Sequence, residues 1–228
     1  MTDPDGVGTD GEGNGDSAAL PIVAAPDPNP DRIDTRVAGV LLAAGTSSRF
    51  GDENKLLARL EGEPVVRRAA RTLVAALTDP VIVVLGYDAD GVREALEGLS
   101  VEFVENEAYA EGQATSVRAG IDAVRATTAA CDAGIISLGD MPFVSAETVD
   151  RLVAAYDAGV GAALAPAFDG ERGNPVLFDR RFFDRLAAID GDVGGRRILL
   201  EDEESVLVAV DDQGVRRDVD VAGDLSLG

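Results

Sequence analysis

The sequence predicts a single three-layer α/β/α domain around a mostly parallel sheet. Three observations carry this. From Val37 onward, short apolar runs rich in β-branched residues alternate with stretches whose apolar residues recur at helical spacing. The 228 residues suffice for one large core. Hydrophobic content is 46%, yet no apolar run approaches the roughly 20 residues needed to span a bilayer.

The elements follow in order. Residues 1–36 carry eight acids against two arginines, many Gly and Pro, and no periodic pattern, so a disordered acidic tail is expected there, with the domain spanning 37–228. Val37–Ala43 reads as a buried strand. Pro64 marks a helix start, followed at helical spacing by Val66, Ala69, Ala70, Leu73 and Leu77. Val81–Leu85 is a second strand, and Asp88 is expected to cap a helix that buries Val92, Leu96 and Leu99. Val101–Val104 is a third strand, and a helix from Gln113 carries Val117, Ile121 and Val124. Ile135–Leu138 is a fourth, after which Ser145 caps a helix burying Val149, Leu152, Val153 and Tyr156. Ala162–Ala165, Val176–Phe178 and Val206–Val210 read as further strands, with a helix at Phe182, Leu186 and Ile189. The terminal "VRRDVDVAGDL" reads as a strand entering a short helix capped by Asp224. Strand–helix alternation implies parallel strands with right-handed crossovers, a Rossmann-like arrangement. Ligands in such sheets sit beyond the carboxyl ends of the strands, so the loops there hold the candidate chemistry.

Composition narrows the chemistry. No histidine is present, which excludes imidazole catalysis and His-ligated zinc. The single Cys131 excludes an intramolecular disulfide; with an acidic N-terminus that lacks an apolar signal core, a reducing cytoplasm is the expected setting. A net charge of −22 repels nucleic acid. All 20 basic residues are arginine except Lys55. That usage resembles proteins of salt-accumulating halophilic archaea, although an acidic surface also serves solubility alone.

Against this background "VLLAAGTSSRFGDENKLL" stands out. Small residues Ala44, Gly45, Thr46, Ser47 and Ser48 follow an apolar strand and let a ligand approach backbone N–H groups. Arg49 and Lys55 add positive charge, and donors plus cations suit a polyphosphate. The spacing is neither a Walker A loop nor G-x-G-x-x-G. In "SLGDMPFV", Asp140 ends a strand and is placed either to hold Mg²⁺ against phosphates or to serve as a turn residue. In "DVDVAGDL", Asp218 and Asp220 share a face if extended, with pairing to Arg216 or Arg217 as the alternative. In "NEAYAEGQATSVRAG", Gly112, Gln113, Thr115 and Ser116 open a helix, where capping explains them adequately; Asn106 fits a turn or a base contact. "GERGNPVLF" and "GDVGGRR" are explicable as turns.

"LLAAGTSSRFGDENKLL" resembles the L-A-A-G-x-S-x-R-x-G…K signature of the MobA-like nucleotidyltransferases, and most resembles the molybdenum cofactor cytidylyltransferases among them. The likeness runs from about Val37 to Leu225. One departure is that Lys55 stands four positions after Gly51, one more than in many such enzymes. The resemblance implies a fold of the nucleotide-diphospho-sugar transferase type and Mg²⁺-dependent transfer of CMP from CTP to molybdopterin-bound molybdenum; the alternatives are a guanylyltransferase of the same family, a nucleotidyltransferase acting on a sugar phosphate or other phosphorylated small molecule, and a non-catalytic nucleotide- or cofactor-binding delivery module. It implies Arg49, Lys55 and Asp140 as catalytic residues, with Asp140 and Asp220 as metal ligands. It places Leu42, Ala43, Ala44, Gly45, Arg49, Lys55, Asn106, Gln113, Thr115 and Ser116 around the nucleotide. It assigns Asn174, Pro175, Asp192, Gly194, Gly195 and Arg196 to the acceptor, whose charge Arg172 and Arg196 would match. A recipient molybdoenzyme or its chaperone becomes a possible protein partner. "LAAG" resembles the cytidylyl enzymes and "LAGG" the guanylyl ones, so the methyl of Ala44 is expected to disfavour a purine.

Overall fold

A computed structural model describes residues 20–46, 54–127, 130–190 and 195–220. Its strands are β1 (Ile22–Ala24), β2 (Val37–Ala43), β3 (Arg59–Leu60), β4 (Glu63–Pro64), β5 (Val81–Leu85), β6 (Glu102–Glu105), β7 (Ala133–Leu138), β8 (Ala163–Phe168), β9 (Glu171–Arg172), β10 (Val176–Asp179) and β11 (Ser205–Ala209). Its helices are α1 (Val65–Ala75), α2 (Ala89–Ala95), α3 (Gln113–Ala126), α4 (Ala146–Asp157), α5 (Phe183–Ala187) and α6 (Arg196–Glu201). The main sheet runs β1-β11-β8-β10-β7-β2-β5-β6, with β9 paired to β8. No helix among the described residues is long and apolar enough to cross a membrane.

Period-two alternation along β2 explains the three layers. Val37, Leu41 and Ala43 face one core with α1, α2 and α4. Ala38, Val40 and Leu42 face the other, with α3, α5 and α6. The chain moves from β2 to β5 and β6, then returns to place β7 on the other flank of β2. Right-handed crossovers in opposite directions put helices on opposite faces. The reversal lies between β2 and β7, in register at Leu42 and Leu138. This is the topological switch point, where a crevice opens beyond the strand ends.

Several expectations change. β10 is antiparallel to both β7 and β8, because the connection from Phe168 to Val176 holds only a turn and β9 and is too short for a crossover. Within the expected tail, Ile22–Ala24 forms an edge strand parallel to β11, and Asp157 accepts hydrogen bonds from the Asp34 and Thr35 amides. Residues 1–19 lie outside the described residues. Asp88 stands at the N-cap position of α2 but in the left-handed region (φ 53°), and its side chain makes no capping bond. Ser145 does cap α4, accepting from the Thr148 amide. The terminal strand does not form: Gln213–Arg216 is a 3₁₀ turn, and Arg217–Asp220 has no ladder partner. A hairpin that was not expected, β3–β4, turns at Glu61 and Gly62, both with positive φ.

Helix α3 lies close to the sheet because Gly120 faces it. A Cβ there would stand 2.5 Å from Val40 Cγ1 and 3.2 Å from Val84 Cγ2. In an exposed helix, Gly→Ala gains about 1 kcal/mol; overpacking costs about 1–3 kcal/mol. Here the second term is expected to win. Gly120→Ala should lower unfolding free energy by about 1–2 kcal/mol in denaturant titration, and a rise would show that α3 can lift from β2 without cost.

Candidate functional site

The loops leaving β2, β5, β6 and β7 meet at the switch point. A cleft of about 440 Å³ opens there, lined by Leu42, Ala44, Gly45, Thr46, Lys55, Gln113, Ser116 and Asp140 among others. Backbone contacts draw the loops together: the Gly139 amide donates to Leu42 O (2.9 Å), and the Tyr87 amide to Ala44 O (3.2 Å). Gly86 makes this approach possible, since a Cβ there would lie 2.7 Å from both Ala44 Cβ and Tyr109 Cβ.

Lys55 enters from a turn set by buried Asn54, whose Oδ1 accepts from the Leu56 amide and whose carbonyl accepts from the Leu57 amide. Its Nζ lies 2.6 Å from Asp140 Oδ2 and 3.1 Å from Asp220 Oδ1. Only 16% of the lysine side chain is exposed. Burial alone would push its pKa down, but the charges and hydrogen bonds of Asp140 and Asp220 outweigh this and raise it. The ammonium therefore persists at neutral pH.

The third carboxylate arrives through Val219. The Val219 amide donates to the Asp140 carbonyl (2.8 Å), and its side chain is fully buried with Leu60 and Val65. This pin brings the flanking Asp218 and Asp220 beside Asp140, so one oxygen from each lies within 4.8 Å of the others. Burial raises the Asp218 pKa, and Asp220 and Asp140 add to the rise. Asp140 Oδ1 is buried with no hydrogen-bond partner. An orphaned carboxylate oxygen is costly unless a further cation meets it. Hard oxygen donors in this number fit Mg²⁺ or Mn²⁺, so the cluster is a possible divalent-metal site. Sequence reasoning chose Asp220 and passed over Asp218; the D-x-D spacing was the available signal.

A second cleft of about 210 Å³ adjoins the first and shares Leu42, Gln113 and Leu138 with it. Asn174, Gly195, Arg196 and Arg172 line this one. Of the residues expected on the nucleotide side, Leu42, Ala44, Gly45, Lys55, Gln113 and Ser116 line the first cleft; of those expected on the acceptor side, Asn174, Gly195 and Arg196 line the second, and Leu42 and Gln113 line both. Pro175, joined to Asn174 by a cis peptide, is not among the residues lining either cleft.

Three expected nucleotide-side residues do not face the first cleft. Ala43 points into the opposite core. Asn106 is buried and spends its amide on Thr115 Oγ1 (2.9 Å) and Ser116 Oγ (3.0 Å), while its Oδ1 accepts from the Ala108 amide. Thr115 Oγ1 is within hydrogen-bond distance of the Ala108 and Gly112 carbonyls. Asn106 and Thr115 tie the 106–112 loop to the start of α3, which sets Gln113 and Ser116 at the cleft. Tyr109, overlooked in the sequence, lines the cleft from that loop. Arg49, Ser47, Ser48, Asp192, Gly194 and Asp224 lie outside the described residues.

A family model described as a MobA-like NTP transferase domain matches residues 39–206. The chain belongs to that family. It is a nucleotidyltransferase by kinship, with the family's mostly parallel α/β sheet. It is 31% identical over 191 residues to a Paenarthrobacter nicotinovorans protein named nicotine blue oxidoreductase, covering 81% of this chain and 92% of the relative. It is 31% identical over 128 residues to a probable molybdenum cofactor guanylyltransferase of Natronomonas pharaonis, covering 56% of this chain and 61% of that one. Among solved structures, Rv0371c of Mycobacterium tuberculosis superposes with a TM-score of 0.73 at 29% identity, covering 85% of this chain and 97% of that one. A manganese complex of Rv0371c has also been solved.

Removing Lys55 leaves three crowded carboxylates without their ammonium. Lys55→Ala should cost about 2 kcal/mol of stability, below the full penalty for breaking a buried pair because Asp220 is partly exposed. Millimolar Mg²⁺ should raise the melting temperature of Lys55→Ala more than that of the wild type. Equal shifts would show that the carboxylates do not share one cation site.

Proposed function

We propose that this nucleotidyltransferase transfers CMP from CTP to the phosphate of a molybdenum–molybdopterin acceptor. Pyrophosphate leaves and a cytosine dinucleotide cofactor forms. The observation that carries the reading is the single crevice in which a small-residue loop, the lone lysine and three carboxylates converge, next to a second cleft with its own cations.

The chemistry brings two anions together, so charge neutralisation dominates the barrier. An acceptor phosphate oxygen forms a bond to the α-phosphorus; the bond to the β-phosphate oxygen breaks, and its electron pair leaves on pyrophosphate. Asp140, with Asp218 and Asp220, would hold Mg²⁺, which supplies Lewis-acid neutralisation of phosphate oxygens when bound. Lys55 keeps its ammonium at the cleft wall beside these carboxylates, where it can face a triphosphate. The backbone at Ala44, Gly45 and Thr46 offers close approach to an anion. Gln113, at the junction of both clefts, is placed to orient the reacting groups. No general base is required, because a phosphate monoester is largely ionised near neutral pH. This suits a chain without histidine.

For the base, the support is Ala44. It is 2% exposed, lines the cleft and leaves no room toward Gly86, so its methyl fills space at a fixed position. A relative named as a guanylyltransferase favours GTP as the second reading. Product delivery to a recipient molybdoenzyme or its chaperone belongs to the same proposal.

Purified protein with Mg²⁺ and molybdenum cofactor should release pyrophosphate from CTP well ahead of GTP, ATP and UTP. Turnover of GTP without CTP would end the cytidylyl assignment. Ala44→Gly should raise the GTP-to-CTP ratio of kcat/KM about 10-fold or more, the usual value of one methyl group in a pocket. Asp140→Ala should lower kcat by about 100-fold or more while preserving the fold. Undiminished turnover in that variant would place the chemistry elsewhere.

A further inference from the structure

Acids outnumber bases 42 to 20 in this chain, and most described arginines reach a carboxylate, as Arg71 and Arg181 do. Of the arginines that reach none among the described residues, the exposed Arg32, Arg59 and Arg180 line neither cleft, unlike Arg172 and Arg196. Both line the second cleft, and neither forms an ion pair with a carboxylate among the described residues. The strand alternation of β9 explains the first: Glu171 turns outward to pair with Arg216, which sends Arg172 inward. Arg196 opens α6 beside Gly195, which lies against the Phe178 ring so tightly that a Cβ would stand 2.7 Å from it. Burial pushes the Arg172 pKa down, and the Arg196 charge adds to that. The remaining walls are largely apolar, among them Leu42, Ile136, Val176 and Phe178. Arg172 is half-buried while Arg196 is exposed, so the cost falls on Arg172, whose charge lacks a carboxylate partner among the described residues, and an anion joining the two would offset it.

Position says which anion. Leu42, Gln113 and Leu138 line both clefts, so the reacting groups meet there; the two arginines line only the second. We propose that Arg172 and Arg196 clasp a second anionic group of the acceptor, remote from its reacting phosphate, while a flat apolar body between the two anions lies on Leu42, Ile136, Val176 and Phe178. The substrate class is then a phosphorylated, largely planar molecule with another anionic group at its far end. Monoanionic and neutral-tailed phosphates are discriminated against. The designation of this molecule as acceptor rests on the nucleotidyl-transfer reading; the anion site itself rests on the cleft alone.

Binding calorimetry without nucleotide tests it, with three probes: phenyl phosphate, 4-(hydroxymethyl)phenyl phosphate and 4-carboxyphenyl phosphate. In wild type the carboxylate should improve affinity about 10-fold over phenyl phosphate, the usual scale of a charge-assisted bidentate contact, and the hydroxymethyl group should not. Arg172→Met and Arg196→Met should each abolish that gain, and Arg172→Met should melt at a higher temperature than wild type because burial of its charge, and with it the repulsion from Arg196, is relieved. Arg172→Gln replaces Arg172→Met should the latter fail to fold. No carboxylate gain in wild type, or a gain retained in both variants, would overturn the proposal. CTP binding measured on the same wild-type sample separates the two readings. Its absence would count against nucleotidyl transfer while leaving the anion clasp standing.

Discussion

The site depends on one contact, the Lys55 ammonium between Asp140 and Asp220. It joins three parts of the chain that are far apart in sequence: the turn after the β2 loop, the end of β7, and the segment beyond the last 3₁₀ turn. The first carries the ammonium and the other two the acids, which are held unequally. Asp140 is set by the β7 ladder and the Leu138–Met141 turn. Asp218 and Asp220 belong to backbone with no sheet partner, anchored through the Val219 amide and the small apolar cluster of Leu60, Val65 and Val219. A like-charged triad on so light an anchor would spread in water. The ammonium opposes that repulsion, which is why the chain's only lysine stands in a fold otherwise neutralised by arginine. The compact, flexible ammonium can sit between two carboxylates and still change partners, whereas a guanidinium prefers a planar bidentate match.

Much of the fold was legible because it follows from period. β2 and β5 match their expected limits residue for residue, since a strand buried on both faces reads as an uninterrupted apolar run. α3 and α4 begin where expected, at Gln113 and just after Ser145. The failures are equally physical. β10 has the pattern of a buried strand, and pattern carries no direction; only the short connection from β8 reverses it. "VRRDVDV" has strand periodicity, but among the described residues it pairs with no strand, and Val215 and Val219 are buried from non-ladder backbone instead. Edge strand β1 was hidden because its three apolar residues, Ile22–Ala24, are too few to show a period and stand in a Gly-, Asp- and Pro-rich stretch.

The candidate site divides along another line. Residues whose role depends on backbone position fell where expected: Gly45 and Asp140 at strand ends, and Gln113 at the first turn of α3. Residues whose role depends on side-chain direction did not all follow. Ala43 and Ala44 are neighbours, and strand alternation sends one into the core and the other to the cleft. Asn106 offers the right amide at the right strand end, yet its neighbours Thr115 and Ser116 take its donors first. Polar side chains near a helix start compete for backbone and for each other before any ligand arrives. Tyr109 and Gly86 had no charge or motif to mark them, and their importance appears only when β5 and the 106–112 loop are side by side.

The two clefts also carry opposite electrostatic problems, and each makes sense only with the other. The first gathers carboxylates around one ammonium and therefore suits cations and the phosphates they escort. The second has Arg172 and Arg196 among largely apolar lining residues, and neither pairs with a carboxylate among the described residues of a chain of charge −22. Had Glu171 turned inward, Arg172 would be neutralised and the cleft would be an ordinary ion-paired groove. The alternation of a two-residue strand prevents this and hands Glu171 to Arg216 on the outside. An overall negative field repels every anionic substrate at a distance, so local cation density must supply the capture. Screening sharpens the point: at about 1 M salt the field decays within about 3 Å, and only groups in direct contact still discriminate. On the proposed reading, selectivity under those conditions would rest on the few side chains at the cleft walls, with Ala44 shaping one end by volume and Arg172 with Arg196 setting the other by charge.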